Sequence, residues 1–211
     1  MPRALLFGAS GTLGTACRKK LTDEKWDVLT SPHTKSLTAL PKLNAIVWAQ
    51  GLNYSASIEK TSLDSWNSVI EANVTFVFRT LQEVLLQGVL EKEARLVIVS
   101  SVWEHLARAN KAAYITSKSA LGGLVRSLSV DLAPSGISIN SVLPGVIDSP
   151  MTRQHLSPQT IESIRKETPG GRLVSVKEVT DTIFYLISKN SSGITGQSVI
   201  VDNGWSLYKN V

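Results

Sequence analysis

The chain has 211 residues, 43% of them hydrophobic and 18% charged, with a formal net charge of +5. That is the size of one domain with a sizeable core and the composition of a globular protein. No stretch approaches the ~18 apolar residues of a membrane span, so no membrane partner is expected. The single cysteine, Cys17, excludes an internal disulfide. The lysines and arginines are scattered rather than gathered into a basic run with interleaved aromatics, so no nucleic-acid partner is expected either. Met1-Pro2-Arg3 leads into a short apolar run without the features of a signal peptide, and the expected compartment is the cytoplasm.

Ala4 to Phe7 reads as a short buried strand, and Gly8-Ala9-Ser10-Gly11-Thr12-Leu13-Gly14 follows at once, before a helical pattern from Thr15 to Leu21. A strand, a glycine-rich turn and a helix make the context in which such glycines bind a dinucleotide. Gly8 permits the tight turn, Gly11 lets the backbone approach a diphosphate, and Gly14 lets the helix pack close on the strand. The helix N-terminus favours the negative charge. Trp26 to Thr30 reads as a second strand. Where NAD-binding folds place an acid for the ribose 2′-hydroxyl, this chain has Thr30-Ser31-Pro32-His33, with Lys35 just beyond and Asp27 only at the strand's start. Ser31, His33 and Lys35 suit a 2′-phosphate, which favours NADP(H) over NAD(H).

Ser36 to Leu43 has room for one short helix at most, and Ala45 to Ala49 reads as a strand followed by Gln50-Gly51. Leu63-Asp64-Ser65-Trp66 leads a long helical pattern that contains Asn73, a residue with poor helix propensity. Leu96 to Val99 reads as a buried strand that ends in Ser100-Ser101. Tyr114 and Lys118 follow at a spacing of four, one turn apart on one helix face. Ser101, Tyr114 and Lys118 suit a single carbonyl. The serine hydroxyl holds the oxygen, the tyrosine passes a proton to it, and the lysine ammonium lowers the tyrosine pKa toward neutrality.

The Tyr-Lys helix carries Leu121, Leu124, Val125 and Leu128 and stops at Asp131 to Gly136. Ile137 to Val142 alternates as a strand does. Pro144-Gly145 opens a loop, Thr152 to Gly171 is polar and rich in turn residues, Val176 to Ile187 reads as a helix, and Ser198 to Val201 as a last strand before Gly204. Strands alternating with helices argue for a parallel sheet covered on both faces. His33, His105 and His155 lack ligand spacing, so no metal site is expected. His105, Arg108 and Arg153 are candidates to meet an acidic group on a substrate.

Tyr114-Ile115-Thr116-Ser117-Lys118, the upstream Ser101 and the N-terminal glycine turn resemble the short-chain dehydrogenase/reductase family, with five motif blocks in order over nearly the whole chain. The resemblance implies a single-domain α/β fold, a Rossmann-type doubly wound parallel sheet of order 3-2-1-4-5-6-7. Too little chain separates the second and third predicted strands for the family's edge strand 3, which is expected to be missing or vestigial, along with the acid that usually holds the adenine. It implies an NAD(P)(H)-dependent oxidoreductase interconverting a carbonyl and an alcohol. Ser101, Tyr114, Lys118 and Asn73 would be the catalytic set, with Tyr114 and Lys118 also at the nicotinamide ribose. Gly8, Ser10, Gly11, Thr12, Leu13 and Gly14 would bind the diphosphate side. Trp48-Ala49-Gln50-Gly51 stands where the family has Asn-Asn-Ala-Gly, with Ala49 and Gly51 along the cofactor. Pro144, Gly145, Ile147 and Ser149 would close over the nicotinamide, and about 150–171 would form a substrate lid. Relatives are usually homodimers or homotetramers, and the same is expected here. A non-catalytic NADP-binding sensor or subunit on the same fold is the alternative, prompted by the shortened adenine side. An epimerase or dehydratase ranks third.

Overall fold

The structure, a computed structural model, describes residues 1–31, 37, 39–191 and 193–208. In chain order the elements are β1 (Arg3–Phe7), α1 (Thr12–Asp23), β2 (Asp27–Ser31), β3 (Leu43–Trp48), α2 (Leu63–Ile70), α3 (Phe76–Leu86), β4 (Leu90–Val99), α4 (Ala112–Leu132), β5 (Ser138–Pro144), β6 (Ile147–Asp148), α5 (Pro150–His155), α6 (Pro158–Glu167), β7 (Val174–Ser175), α7 (Val176–Ile187) and β8 (Ser198–Val201).

Strand side chains alternate between faces, and here both faces are apolar. Leu5 and Phe7 of β1, Ile46 and Trp48 of β3, and Leu96 and Ile98 of β4 enter one core with Phe76, Val77 and Leu81 of α3 and Leu121 and Val125 of α4. Ala4 and Leu6, Ala45 and Val47, and Val97 and Val99 enter a second core with Cys17 and Leu21 of α1 and Val179, Ile183 and Leu186 of α7. A sheet apolar on both sides must be covered on both sides, which is why helices flank it twice. Trp48 is wholly buried: its ring stacks on Phe7 at 5.9 Å, and its indole N–H donates to Thr80 Oγ1 at 2.9 Å. Burial pushes the Cys17 thiol up to about 12, so it is an inert core residue.

The six main strands are all parallel, in the order β2-β1-β3-β4-β5-β8. This is the expected Rossmann-type order. Among the described residues no strand lies outside β2, in agreement with the lost edge strand. Residue 37 and residues 39–42 form no helix, within the limit of one short helix at most; the other residues between Ser31 and Ala39 lie outside the described residues. From β1 the chain passes to β2 on one side and returns to β3 on the other. The crevice between the C-terminal ends of β1 and β3 is therefore the topological switch point, where such sheets bind ligands.

Two departures from the sequence reading concern helices. Residues 152–171 read as polar and rich in turn residues, yet α6 and most of α5 lie there. Ser149 and Ser157 cap these helices by accepting from the Thr152 and Thr160 amides, and Pro150 and Pro158 sit in the first turns. A serine followed by proline is also a helix start, and here that reading wins. The second departure is a π-helical turn, Glu71–Thr75, that joins α2 to α3 and carries Asn73.

Candidate active site

The site grows from the ends of β1, β3, β4 and β5. After Phe7 the chain turns at Gly8, whose φ is +77°, and a Cβ there would stand 2.5 Å from the Gln50 nitrogen. A Cβ on Gly14 would stand 2.0 Å from the Gly8 oxygen, whereas one on Gly11 would meet only that oxygen, at 3.5 Å. Gly8 and Gly14 are thus required by the packing of β1, β3 and α1, and Gly11 leaves its open side to the cavity. Gly11 caps α1 with no side-chain hydrogen bond, and the first turn carries no acid. The free amides and the helix dipole there suit an anion.

A cavity of about 510 Å³ runs from this turn to Tyr114. Gly8, Ser10, Gly11, Thr12 and Leu13 line one end. Ala49, Gln50 and Gly51 line its middle. Ser101, Tyr114 and Lys118 line the other end, where Pro144, Gly145, Ile147 and Ser149 also face it. The Gln50 Oε1 and Ser100 Oγ atoms are buried without a hydrogen-bond partner among the described residues. A cavity lined by a helix N-terminus, with orphaned polar atoms beside it, fits a dinucleotide, which would be held by the 8–13 turn, 49–51, Lys118 and 144–149.

At the far end, Ser101 follows β4, and its hydroxyl lies close enough to Tyr114 to act on its pKa. Burial raises the Tyr114 pKa, and Ser101 acts against the rise. Burial outweighs the lowering that the sequence reading expects from the ammonium of Lys118. Its Nζ donates to the Val99 carbonyl at 3.1 Å and stands 5.6 Å from the Tyr114 ring centroid, so desolvation dominates at both groups. The Lys118 pKa falls to about 8 through burial, opposed by the charge of Glu104.

Asn73 is 1% exposed and is not a plain helix surface residue. Its Nδ2 donates to the Leu52 carbonyl at 3.0 Å and to Ser117 Oγ at 2.8 Å, and its Oδ1 accepts from the Leu52 amide at 2.7 Å. The π turn breaks the regular ladder at this point and points the amide across to α4. A Cβ on Gly51 would lie 3.4 Å from Asn73 Oδ1 and 3.5 Å from Lys118 Nζ, so the loop after β3 passes between the two.

Some sequence-predicted residues stand elsewhere. Gly14 is buried in the α1–β1 contact and does not line the cavity. Ser31 ends β2 and is also outside the lining. His33 and Lys35 lie outside the described residues. Ser149 lines the cavity, but its hydroxyl is spent on capping α5. Arg108 faces the cavity, whereas Arg153 pairs with Asp148 and His105 lies near Glu104. Sequence reasoning missed Gln50, Asn53 and Lys111 as lining residues. For Gln50 a signal existed, a polar residue directly after the fully apolar run Ala45 to Ala49; Asn53 and Lys111 carried none.

A doubly wound sheet with a glycine turn at its switch point and a Ser-Tyr-Lys cluster at the cavity's other end defines a dinucleotide-binding α/β protein. A family model described as enoyl-(acyl carrier protein) reductase matches residues 25–206. The chain is 33% identical over 166 residues to a cyclopentanol dehydrogenase of Comamonas sp. (strain NCIMB 9872), covering 78% of this chain and 66% of that one. It is 34% identical over 141 residues to a 3-oxoacyl-(acyl-carrier-protein) reductase of Salmonella typhimurium, covering 67% of this chain and 57% of that one. The matched stretch thus spans just under two thirds of these relatives' lengths, or less. A short chain dehydrogenase family protein from Francisella tularensis superposes with a TM-score of 0.88 at 22% identity, covering 98% of this chain and 99% of that one. A 4-hydroxyisoleucine dehydrogenase complexed with NADH superposes with a TM-score of 0.87 at 20% identity, covering 99% of this chain and all of that one. The chain belongs to the short-chain dehydrogenase/reductase family.

Proposed function

We propose that the protein is an NAD(P)(H)-dependent oxidoreductase that interconverts a ketone or aldehyde with its alcohol. The observation that carries this reading is the placement of Ser101, Tyr114 and Lys118 at one end of a cavity whose other end is the 8–13 turn. When bound, the nicotinamide supplies a hydride to the carbonyl carbon, or takes one from the alcohol. In reduction, Tyr114 gives the hydroxyl proton to the carbonyl oxygen, so that C=O plus a hydride and a proton becomes CH–OH. Ser101 donates a hydrogen bond to that oxygen as its charge develops. Lys118, with a pKa near 8, holds the nicotinamide ribose and restores a proton to Tyr114. Asn73 acts through the 51–52 loop and Ser117, keeping the proton path in register.

NADP(H) is favoured over NAD(H). No acid ends β2, and the nearby Asp27 is held by Arg3 at 2.6 Å. The chain is read as a single 1–211 domain, with 150–171 as a substrate lid whose Thr152 and Leu156 face the cavity. Phe78 and Leu86 on α3 and Val130 on α4 are exposed apolar residues that suit a homodimer or homotetramer. Among the described residues no helix is long and apolar enough to cross a membrane. A buried free Cys17 suits the cytoplasm.

Titration with NADPH and separately NADH, read by tryptophan quenching, tests the cofactor; Trp103 lines the cavity. A panel of carbonyl compounds then tests turnover. Tyr114→Phe is expected to keep NADPH binding and lose about 10²–10⁴-fold in kcat. Tight binding with no turnover of any carbonyl would instead favour the non-catalytic NADP sensor.

A further inference from the structure

We propose that the substrate of this site is a carbonyl compound carrying an oxyanion, a carboxylate or a phosphate, which Arg108 and Lys111 hold beside Tyr114. This rests on the carbonyl–alcohol reading above and names the substrate class. Both residues lie between Ser101 and Tyr114 in the chain and line the catalytic end of the cavity with Asn53 and Trp103. Lys111 Nζ stands 5.5 Å from the Tyr114 ring centroid, and Lys118 Nζ stands 5.6 Å from it. Tyr114 is therefore flanked by two ammonium groups, of which family chemistry uses only Lys118.

Arg108 and Lys111 have no carboxylate beside them in the cavity lining, the buried Glu104 acting on Lys118 instead. No aspartate or glutamate is among the lining residues, which include three cations, Arg108, Lys111 and Lys118. Lys111 is half-buried and donates to the Asn53 side-chain oxygen at 2.6 Å, a neutral partner. Among the described residues Arg108 is exposed and engages no carboxylate. The Lys111 pKa is lowered, first by burial and then by the charge of Arg108. Like charges held together over a cavity without a carboxylate are relieved by a bound anion. An ammonium for one oxygen and a guanidinium fork for a second is a common oxyanion arrangement. An anion on Lys111 lies within a few bonds of a carbonyl at Tyr114, so short oxo acids and small phosphorylated ketones fit.

Calorimetric titration of the full chain with oxalate, with inorganic phosphate and with neutral oxamide reads the anion site without turnover. The inference expects at least one anion to bind more tightly than oxamide, with about tenfold or greater loss in both Arg108→Ala and Lys111→Gln. Whichever anion responds to the variants identifies carboxylate or phosphate as the source. Anion binding no better than oxamide, or binding unchanged in both variants and so located at the glycine turn, overturns it. In a second arm, 2-oxo and 3-oxo acids are compared with their methyl esters, and dihydroxyacetone phosphate with dihydroxyacetone. An anionic-to-neutral ratio in kcat/KM well above one that falls toward one in the variants supports the inference, and equal turnover by the parent protein overturns it. Variant-sensitive anion binding with no turnover of any carbonyl supports the anion site while removing the oxidoreductase reading, so the two failures are distinct.

Discussion

The Glu104 carboxylate lies against Gly122, one helical turn beyond Lys118, so closely that a Cβ on Gly122 would stand 2.3 Å from Oε1 and 2.7 Å from the carboxyl carbon. The side chain is 2% exposed. Ser198 donates to Oε1 at 2.6 Å, while Oε2 has no hydrogen-bond partner among the described residues. A buried acid is costly unless something fixes it. Here a glycine opens the space, and a buried lysine supplies the field.

That contact predicts strong coupling between the two positions. Gly122→Ala alone drives a methyl into a buried carboxylate and is expected to cost about 1–3 kcal/mol. In a Glu104→Ala background the same change is expected to cost under about 0.5 kcal/mol. A urea-unfolding double-mutant cycle measures the difference, and additive values would mean the carboxylate moves aside without strain.

Lys118 makes stability depend on alkaline pH. Its folded pKa, about 8, lies below the unfolded value of 10.5. Between the two, the unfolded chain binds the proton that the folded chain has released, so this group's contribution rises with pH across that window. The gain is about 3 kcal/mol. Cys17 and Tyr114 have raised pKa values and act oppositely, above about pH 9 and pH 10 respectively. The difference in unfolding free energy between the parent chain and Lys118→Met isolates the lysine. It should climb from pH 8 to 10, and a flat difference would show that Lys118 stays charged in the fold.

Asn73→Ala removes the three hydrogen bonds that tie the π turn to Leu52 and Ser117. The expected loss is about 1–3 kcal/mol, or a few degrees in Tm for each kcal/mol at this chain length. Hydrogen exchange at the Leu52 amide should quicken more than in β1 or β4. Uniform change across the sheet would mean that the asparagine supports the fold at large and not this loop.

Trp103 and Trp205 meet edge to face at 5.7 Å, and the Trp205 indole N–H donates to Glu167 Oε2 at 3.3 Å. The cavity wall and the end of α6 are thus joined through the segment after β8. Trp205→Ala is expected to hasten limited proteolysis within 150–171 several-fold and to shift tryptophan emission to the red. Unchanged cleavage there would show that α6 is held by other contacts, such as the buried Ile164.

What could be read from the residues followed local periodicity. Continuous apolar runs in Ala4–Phe7 and Ala45–Trp48 specify strands apolar on both faces, and a parallel sheet with helices on both sides follows from that. The glycine turn and the Tyr-x-x-x-Lys spacing were equally legible, because a turn and a helical face are set within a few residues. The short connection after Thr30 announced the missing edge strand. Helices α5 and α6 were not legible, since Ser-Pro marks turns and helix starts alike.

By itself, then, the sequence determined the main strands and helices of the sheet, their parallel order and the gathering of Ser101, Tyr114 and Lys118 along one cavity. Local geometry and the family resemblance suffice for these. Only the tertiary structure decided which groups converge there. Lys111, Asn53 and Gln50 reach the cavity through contacts between segments far apart in sequence, as in the Lys111–Asn53 bond across 58 residues. The pKa directions of Tyr114 and Lys118 were likewise beyond spacing alone, because desolvation depends on everything packed around a group and not on its neighbours in the chain.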